Sequence, residues 1–259
     1  MYPILFKIGS ITVFSYGFCI MLGALAAYYY GIYQGKKIGI SSDTISEMTL
    51  LIIGLSYIGG KVFLWFSDWN YYMEHPQKMI ELSGSGFVFY GSFIFCIIGL
   101  FAFFRYKKIV PAPLFDILAV CTALLHAFGK IGCFLAGCCH GKICPTAIGV
   151  VYHNLLSQAQ PLDTPLYPVQ LIDATILLAA AAFLYWYRSY KKFDGELMLG
   201  YVFIYATARF FTEFLRGDDE RGFIGIFSQS QWVSIVLLIV ASITYWFLKS
   251  RLYATKHHK

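Results

Sequence analysis

The sequence predicts an all-α, polytopic integral membrane protein with seven transmembrane helices, its N-terminus outside and its C-terminus inside. Three observations carry that expectation. Of 259 residues 58% are hydrophobic and only 13% charged, with a mean hydropathy of +0.63, whereas a soluble domain carries about 25% charged residues. Seven apolar runs each approach the roughly 20 residues that cross a bilayer core. The connections between them alternate in charge.

The runs fall at about 12–33, 45–65, 86–104, 114–135, 170–187, 197–215 and 231–249, and no internal repeat or linker divides them, so one domain, 1–259, is expected. Odd-numbered connections and the tail collect Lys36, Lys37, Arg105, Lys107, Lys108, Arg188, Lys191, Lys192, Lys249, Arg251, Lys256 and Lys259, which is twelve of the twenty Lys and Arg. The even connections instead hold Asp68, Glu74, Glu81, Asp163, Asp218, Asp219 and Glu220. Basic loops stay in the cytoplasm, so the odd connections are inner and seven crossings follow. The first run has no basic leader and no small-residue cleavage site after it, which predicts a retained span rather than a removed signal peptide. Connections 66–85 and 136–168 hold Trp69, Tyr71, Tyr72, Pro76, Pro145 and Pro161, as short interfacial segments do. A net charge of +6 distributed this way points to a membrane surface and not to nucleic acid.

Ionisable side chains inside a span are costly and mark function. Lys61 follows Gly59-Gly60 in the second span. In the fourth, His126, Lys130, Cys133 and Gly137 share one helical face, with Gly129 and Gly132 beside them. In the sixth, Tyr205, Arg209, Glu213 and Arg216 do the same, and the fifth opens with Gln170 and Asp173. All lie in the outer half of their spans. Arg209 and Glu213 can pair at i, i+4, and Lys61 and Arg216 can snorkel. One carboxylate does not neutralise both Lys130 and Arg209, so an anion is expected there, and a phosphodiester is the one a membrane offers. Asp116, near the inner end of the fourth span, is the exception that an ion path would multiply.

Six stretches resemble motifs of one family. Gly129-Lys-Ile-Gly-Cys-Phe-Leu-Ala-Gly-Cys-Cys-His-Gly141 is similar to the GRIGNFxNGExxG signature of prolipoprotein diacylglyceryl transferases. Tyr205 through Arg216 resembles that family's Y-x3-R-x3-E-x2-R. SGFVFYGSFI (85–94), YPVQLIDA (167–174), SQSQWVSI (228–235, through Gln231 and Ser234) and SYG (15–17) resemble four more, in chain order. The resemblance implies transfer of a diacylglyceryl group from phosphatidylglycerol to the lipobox cysteine thiol of a secreted prolipoprotein, with release of glycerol phosphate. It places the protein in the bacterial cytoplasmic (inner) membrane, with the site facing the outer leaflet.

Carried over by position, Lys130, Arg209, Tyr90, Glu213 and Tyr205 are the candidate catalytic residues. Tyr16, Lys61, Gly132, Cys133, Gly137, Cys138, Gly141, Gln170 and Arg216 are the candidate substrate-binding residues. Cations near the phosphate ester would stabilise the leaving group and favour the attacking thiolate. Tyr90 stands where the family has a His, and a phenol of pKa near 10 orients better than it abstracts; His126 and His140 are alternative bases. Lys130 replaces an Arg and loses its bidentate fork; Cys133 replaces an Asn, and Cys138 stands where Glu is common. No metal or organic cofactor is expected. Cys133, Cys138, Cys139 and Cys144 leave several readings open: small buried residues, a disulfide from Cys138 or Cys139 to Cys144 in an oxidising exterior, a metal site of unusual spacing, or direct catalysis. A related transferase with another acceptor, a transporter and a lipid-binding membrane protein remain alternatives.

Overall fold

The computed structural model describes residues 1–9, 11–80, 88–217 and 222–257. Glu81, Ser85, Gly86 and Phe87, together with Asp218, Asp219 and Glu220, lie outside the described residues. Among the described residues the chain is built of helices with three short two-stranded antiparallel pairs. In order these are β1 (Ile4–Ile8), β2 (Ile11–Phe14), α1 (Ser15–Lys37), α2 (Ser42–Ser67), α3 (Trp69–Glu74), α4 (Gln77–Ile80), α5 (Phe89–Lys107) and α6 (Pro111–Ala136). There follow β3 (Val150–Val151), β4 (Pro165–Leu166), α7 (Val169–Tyr187), α8 (Glu196–Thr212), a 3-10 turn Glu213–Leu215, β5 (Phe223–Ile224), β6 (Phe227–Ser228) and α9 (Gln229–His257).

Among the described residues six helical stretches are long and apolar enough to cross a membrane: Ser15–Lys37, Ser42–Ser67, Tyr90–Lys107, Pro111–Ala136, Val169–Tyr187 and Gln229–Leu252. The sixth expected span is α8, of 17 residues. The first span begins three residues later than expected, because Ile11–Phe14 pairs with β1. β-branched Ile, Thr and Val favour a pleated strand over a helical first turn. The short helices α3 and α4 fall within the 66–85 connection. Ile97, Ile98, Phe101, Val236, Ile239, Val240, Ile243 and Trp246 are all exposed, an apolar surface suited to lipid.

The chain packs as two units: Ile32–Pro111, and Met1–Gly31 with Ala112–Lys259. In the first, α2 and α5 run antiparallel. A Cβ on Gly59 would lie 2.5 Å from the Gly91 carbonyl, Ser92 Oγ donates to the Ser56 carbonyl at 2.6 Å, and Lys107 pairs with Glu47. Ser41 caps α2 by accepting the Thr44 amide at 3.2 Å, as helix-start serines do.

In the second unit the core joins Ala119, Val120, Ala123 and Ala127 of α6 to Leu177, Ala181 and Leu184 of α7 and to Leu197 and Tyr201 of α8. Small residues dominate the α6 face, which lets helix backbones approach closely. Asp116 belongs to this architecture. Its carboxylate accepts the Leu197 amide at 2.8 Å, the Gly195 amide at 3.0 Å and Lys191 Nζ at 2.6 Å. It therefore caps α8 from a neighbouring helix, which accounts for a buried acid at that end without an ion path.

At the opposite ends of these helices the chain forms a narrow ladder. Gly141 N–H donates to the Tyr167 carbonyl at 3.1 Å and Lys142 N–H to the Leu215 carbonyl at 2.8 Å. Gly217 N–H donates to the His140 carbonyl at 3.1 Å. His140–Lys142 thus runs between the segment entering α7 and the segment leaving α8.

Candidate active site

The ladder holds the ends of α6, α7 and α8 together, and the intramembrane charges sit just behind it. Lys130 Nζ lies 2.7 Å from Asp173 Oδ2, with both side chains about nine-tenths buried. Arg209 Nη2 lies 2.5 Å from Glu213 Oε2, equally buried, and also donates to Ser230 Oγ at 3.1 Å. The expectation that a single carboxylate leaves one of Lys130 and Arg209 without an acid is corrected here. Asp173, one turn into α7, is the second acid, and buried charges are retained when paired. Among the described residues Arg209 Nη1 is buried with no hydrogen-bond partner.

Tyr205, one turn before Arg209 on α8, stacks on Tyr201 at a centroid distance of 6.1 Å and meets the His126 ring edge-on at 4.7 Å. Tyr205, Arg209 and Asp173 line a void of about 10 Å3, the scale of one water-sized group. His126 Nδ1 is 3.2 Å from Tyr201 Oη. Arg216 is buried, with its backbone bridged to Gly141.

Gly137 ends α6: its amide reaches back to the Cys133 carbonyl at 2.8 Å, and its φ is +86°, the left-handed stop that glycine makes without strain. It also has no room for more, since a Cβ would lie 2.0 Å from Ser157 Oγ. Gly141 is squeezed inside the ladder, where a Cβ would meet Tyr167 at 2.5 Å. Gly132 takes the close approach of α1, with Tyr16 Cα 3.0 Å from where its Cβ would be. Tyr16 and Cys138 line a cavity of about 560 Å3 together with Pro3, Phe14, Ala136 and Gln158.

Gln170 is fully buried and donates to the Cys138 carbonyl at 2.9 Å and to Tyr152 Oη at 3.3 Å. Burial pushes the Tyr152 hydroxyl up to about 12, against the opposing pull of the Gln170 amide. Gln170 therefore fixes the chain beyond α6. His140 is removed from the candidate bases. Its Nδ1 faces the Gly141 carbonyl at 3.1 Å and its Nε2 accepts the Gln160 amide at 3.3 Å, so both ring nitrogens serve the main chain.

Three of the four clustered cysteines come together. Cys133, Cys138 and Cys139 place their Sγ atoms within 4.8 Å of one another. The Cys139 thiol is held well below its ordinary value, first by hydrogen bonds from the Cys133 and Cys138 thiols, then against burial by the charges of Arg216 and Lys130. Cys144 stands apart, buried, with Sγ 3.1 Å from Thr146 Oγ1. All seven cysteines are free thiols.

Lys61 and Tyr90 belong to the other unit, each within two residues of the Gly59–Gly91 crossing. Lys61 is buried with Nζ 5.9 Å from the Tyr57 ring centroid, and Tyr90 is exposed. Sequence reasoning did not assign Asp173, Ser230 or Tyr152. Asp173 carried a signal, a lone acid beside Gln170 at a span's start; Ser230 and Tyr152 carried none. Gln231, noticed only within a motif, forms a reciprocal cap at the start of α9. Its Oε1 accepts the Ser228 amide at 3.0 Å while Ser228 Oγ accepts the Gln231 amide at 3.2 Å, a capping box.

Apolar helices long enough to cross a bilayer, together with buried ion pairs, define a polytopic membrane protein. Comparison with known proteins narrows the class. The family model for prolipoprotein diacylglyceryl transferase matches residues 3–247. Phosphatidylglycerol–prolipoprotein diacylglyceryl transferase 2 of Clostridium perfringens is 34% identical over 242 residues, 93% of each chain. The enzyme of Clostridium tetani is 35% identical over 240 residues, 93% of this chain and 95% of its own, and that of Dehalococcoides mccartyi strain 195 is 31% identical over 240, covering 92% and 90%. This chain belongs to the prolipoprotein diacylglyceryl transferase family.

Proposed function

We propose that the protein transfers a diacylglyceryl group from phosphatidylglycerol to the cysteine thiol of a prolipoprotein, releasing glycerol phosphate. The unpartnered Nη1 of Arg209 carries this reading. It is a buried cationic donor, and a phosphodiester oxygen satisfies it while cancelling charge. Lys130 and Arg209 come from facing helices and would bracket the headgroup phosphate. In the resting state Asp173 and Glu213 hold their places, and the phosphate takes over part of those contacts when the lipid enters.

The acceptor thiolate attacks the glyceryl carbon next to the ester oxygen. A carbon–sulfur bond forms, the carbon–oxygen bond breaks, and the electron pair leaves on the phosphate oxygen. The negative charge that develops there is stabilised by Arg209 and Lys130. Tyr205 and Tyr16 supply hydroxyls to headgroup and acceptor, with Arg216 as a further contact. The cavity beside Tyr16 and Cys138 is of a size for a peptide segment or an acyl chain. The glycines at 132, 137 and 141 admit the close approaches that hold the site together.

In this proposal α8 with its 3-10 turn also crosses, as the sixth of seven spans in chain order. At about 1.5 Å per α-helical and 2.0 Å per 3-10 residue it reaches roughly 30 Å, the thickness of the hydrocarbon core. The Lys and Arg distribution supports an outer N-terminus, an inner C-terminus and a site at the outer leaflet of the bacterial inner membrane.

The test is direct. The purified protein in detergent receives phosphatidylglycerol and a lipobox peptide, and thioether product and glycerol phosphate are both measured. Stoichiometric appearance of the two supports the reading; a folded protein that yields neither overturns it.

A further inference from the structure

The reaction as proposed leaves the three-thiol cluster unused, and the fold assembles that cluster with some effort. Cys133 sits on the last turn of α6. After Gly137 the chain reverses, and Cys139 adopts a φ of +58°. Few non-glycine residues adopt this left-handed conformation, and here it turns the second of two adjacent cysteines toward the same point as the first. Three Sγ atoms from both sides of a helix end thereby lie within 4.8 Å of one another. Sulfurs on a tetrahedral zinc ion stand about 3.8 Å apart, given Zn–S bonds of about 2.3 Å, so small side-chain rotations close the set.

No fourth His, Cys, Asp or Glu joins the group among the described residues. His140 is occupied by the Gly141 carbonyl and the Gln160 amide, and Cys144 by Thr146. Three protein ligands with an open fourth position is the pattern of a reactive zinc site, whereas structural sites are closed by four. Cys138 also lines the cavity of about 560 Å3, so an incoming ligand has a route to the cluster. Lys130 and Cys133 are three residues apart on α6 and share a face. Three thiolates on a divalent ion leave one negative charge, which Lys130 and Arg216 are placed to balance.

We propose that Cys133, Cys138 and Cys139 bind a Zn2+ ion as three thiolates, and that the open fourth position takes the thiol of the acceptor cysteine. This rests on the transferase reading above and extends it. On binding, the acceptor thiol releases its proton to solvent. The metal-held sulfur then attacks the glyceryl carbon as the carbon–oxygen bond breaks, and the electron pair leaves on glycerol phosphate. Nothing is oxidised or reduced. This proposal departs from the sequence-based expectation of a metal-free enzyme.

The metal is read without lipid. Full-length protein purified under reducing conditions is analysed for zinc by mass spectrometry, and reconstituted with Co2+ for absorption spectra. Near-stoichiometric zinc and thiolate-to-cobalt charge-transfer bands are expected. Cys133→Ser, Cys138→Ser and Cys139→Ser each lose most of the metal, while Cys144→Ser, outside the cluster, keeps it. Melting curves identify any variant that fails to fold, and Cys139→His, which retains a ligand, keeps the test open for that position. A lipobox peptide shifts the cobalt spectrum, and the same peptide with serine for cysteine does not. Folded wild-type protein that binds neither metal, or serine variants that all retain it, overturns the site. A spectrum indifferent to the cysteine peptide overturns the role of the fourth position. Transfer activity without metal sinks this inference alone; metal and thiol binding without any transfer sinks the function proposed above.

Discussion

Asp173 is what allows Lys130 to be buried. Removing one partner of a buried pair leaves an uncompensated charge, at a cost of about 3–5 kcal/mol. Asp173→Ala is therefore expected to lower the unfolding free energy by about that amount, measured by denaturant titration in detergent. The double variant Lys130→Met, Asp173→Leu should recover most of the stability and none of the activity. Arg209→Lys keeps the charge and the reach to Glu213 but removes Nη1. Losing one preorganised donor to the transition state typically costs 10²–10³-fold in turnover, and a loss on the order of 10²-fold with little change in melting temperature is expected in the transfer assay. The cations were legible in the sequence because a charge within an apolar run stands out. The partner of Lys130 was not, since helical periodicity assigns residues to a face but does not say which faces meet. The convergence of Cys133 with Cys138 and Cys139 depends on one left-handed residue, Cys139, that no pattern announces.

At the scale of elements, the ends of helices carry the design. Gly137 is both left-handed and without space, so Gly137→Ala should destabilise by about 1–3 kcal/mol, read as a fall in melting temperature; adding Ser157→Gly should return only the steric share. The cap on α8 has a pH signature. Burial pulls the Lys191 ammonium down, but the Asp116 and Asp194 carboxylates overcome it and raise its pKa above 10.5. A raised folded value means the contribution is complete below the ordinary pKa and is lost as pH climbs through the folded one. The melting temperature of Lys191→Met should thus lie below wild type by a constant margin across neutral pH, with the gap closing only above about 10.5. Most helices were legible from hydropathy, and their boundaries less so. The Ile11–Phe14 strand read as the start of a span because β-branched residues are equally apolar in either state. Glu213–Leu215 read as helix because three residues are too few for a change of period to show.

For the molecule as a whole, the charged connections predict one orientation. Fusing a reporter active only in the cytoplasm to the C-terminus should give signal, and one active only outside should not; the reverse outcome would invert the proposed topology and move the site to the inner leaflet. Family and architecture were both readable because six weak motifs occur in order along a chain whose spans are the right length. The ladder of His140–Lys142 has a consequence for how the protein comes into being. Its central segment follows α6, yet one of its flanking partners is not synthesised until Leu215 and Gly217. The segment that ends α6 therefore waits, one edge unpaired, through the making of α7 and α8. Assembly of the site is a late event in translation, and a nascent chain halted before residue 217 holds every cysteine and Lys130 but no closed centre.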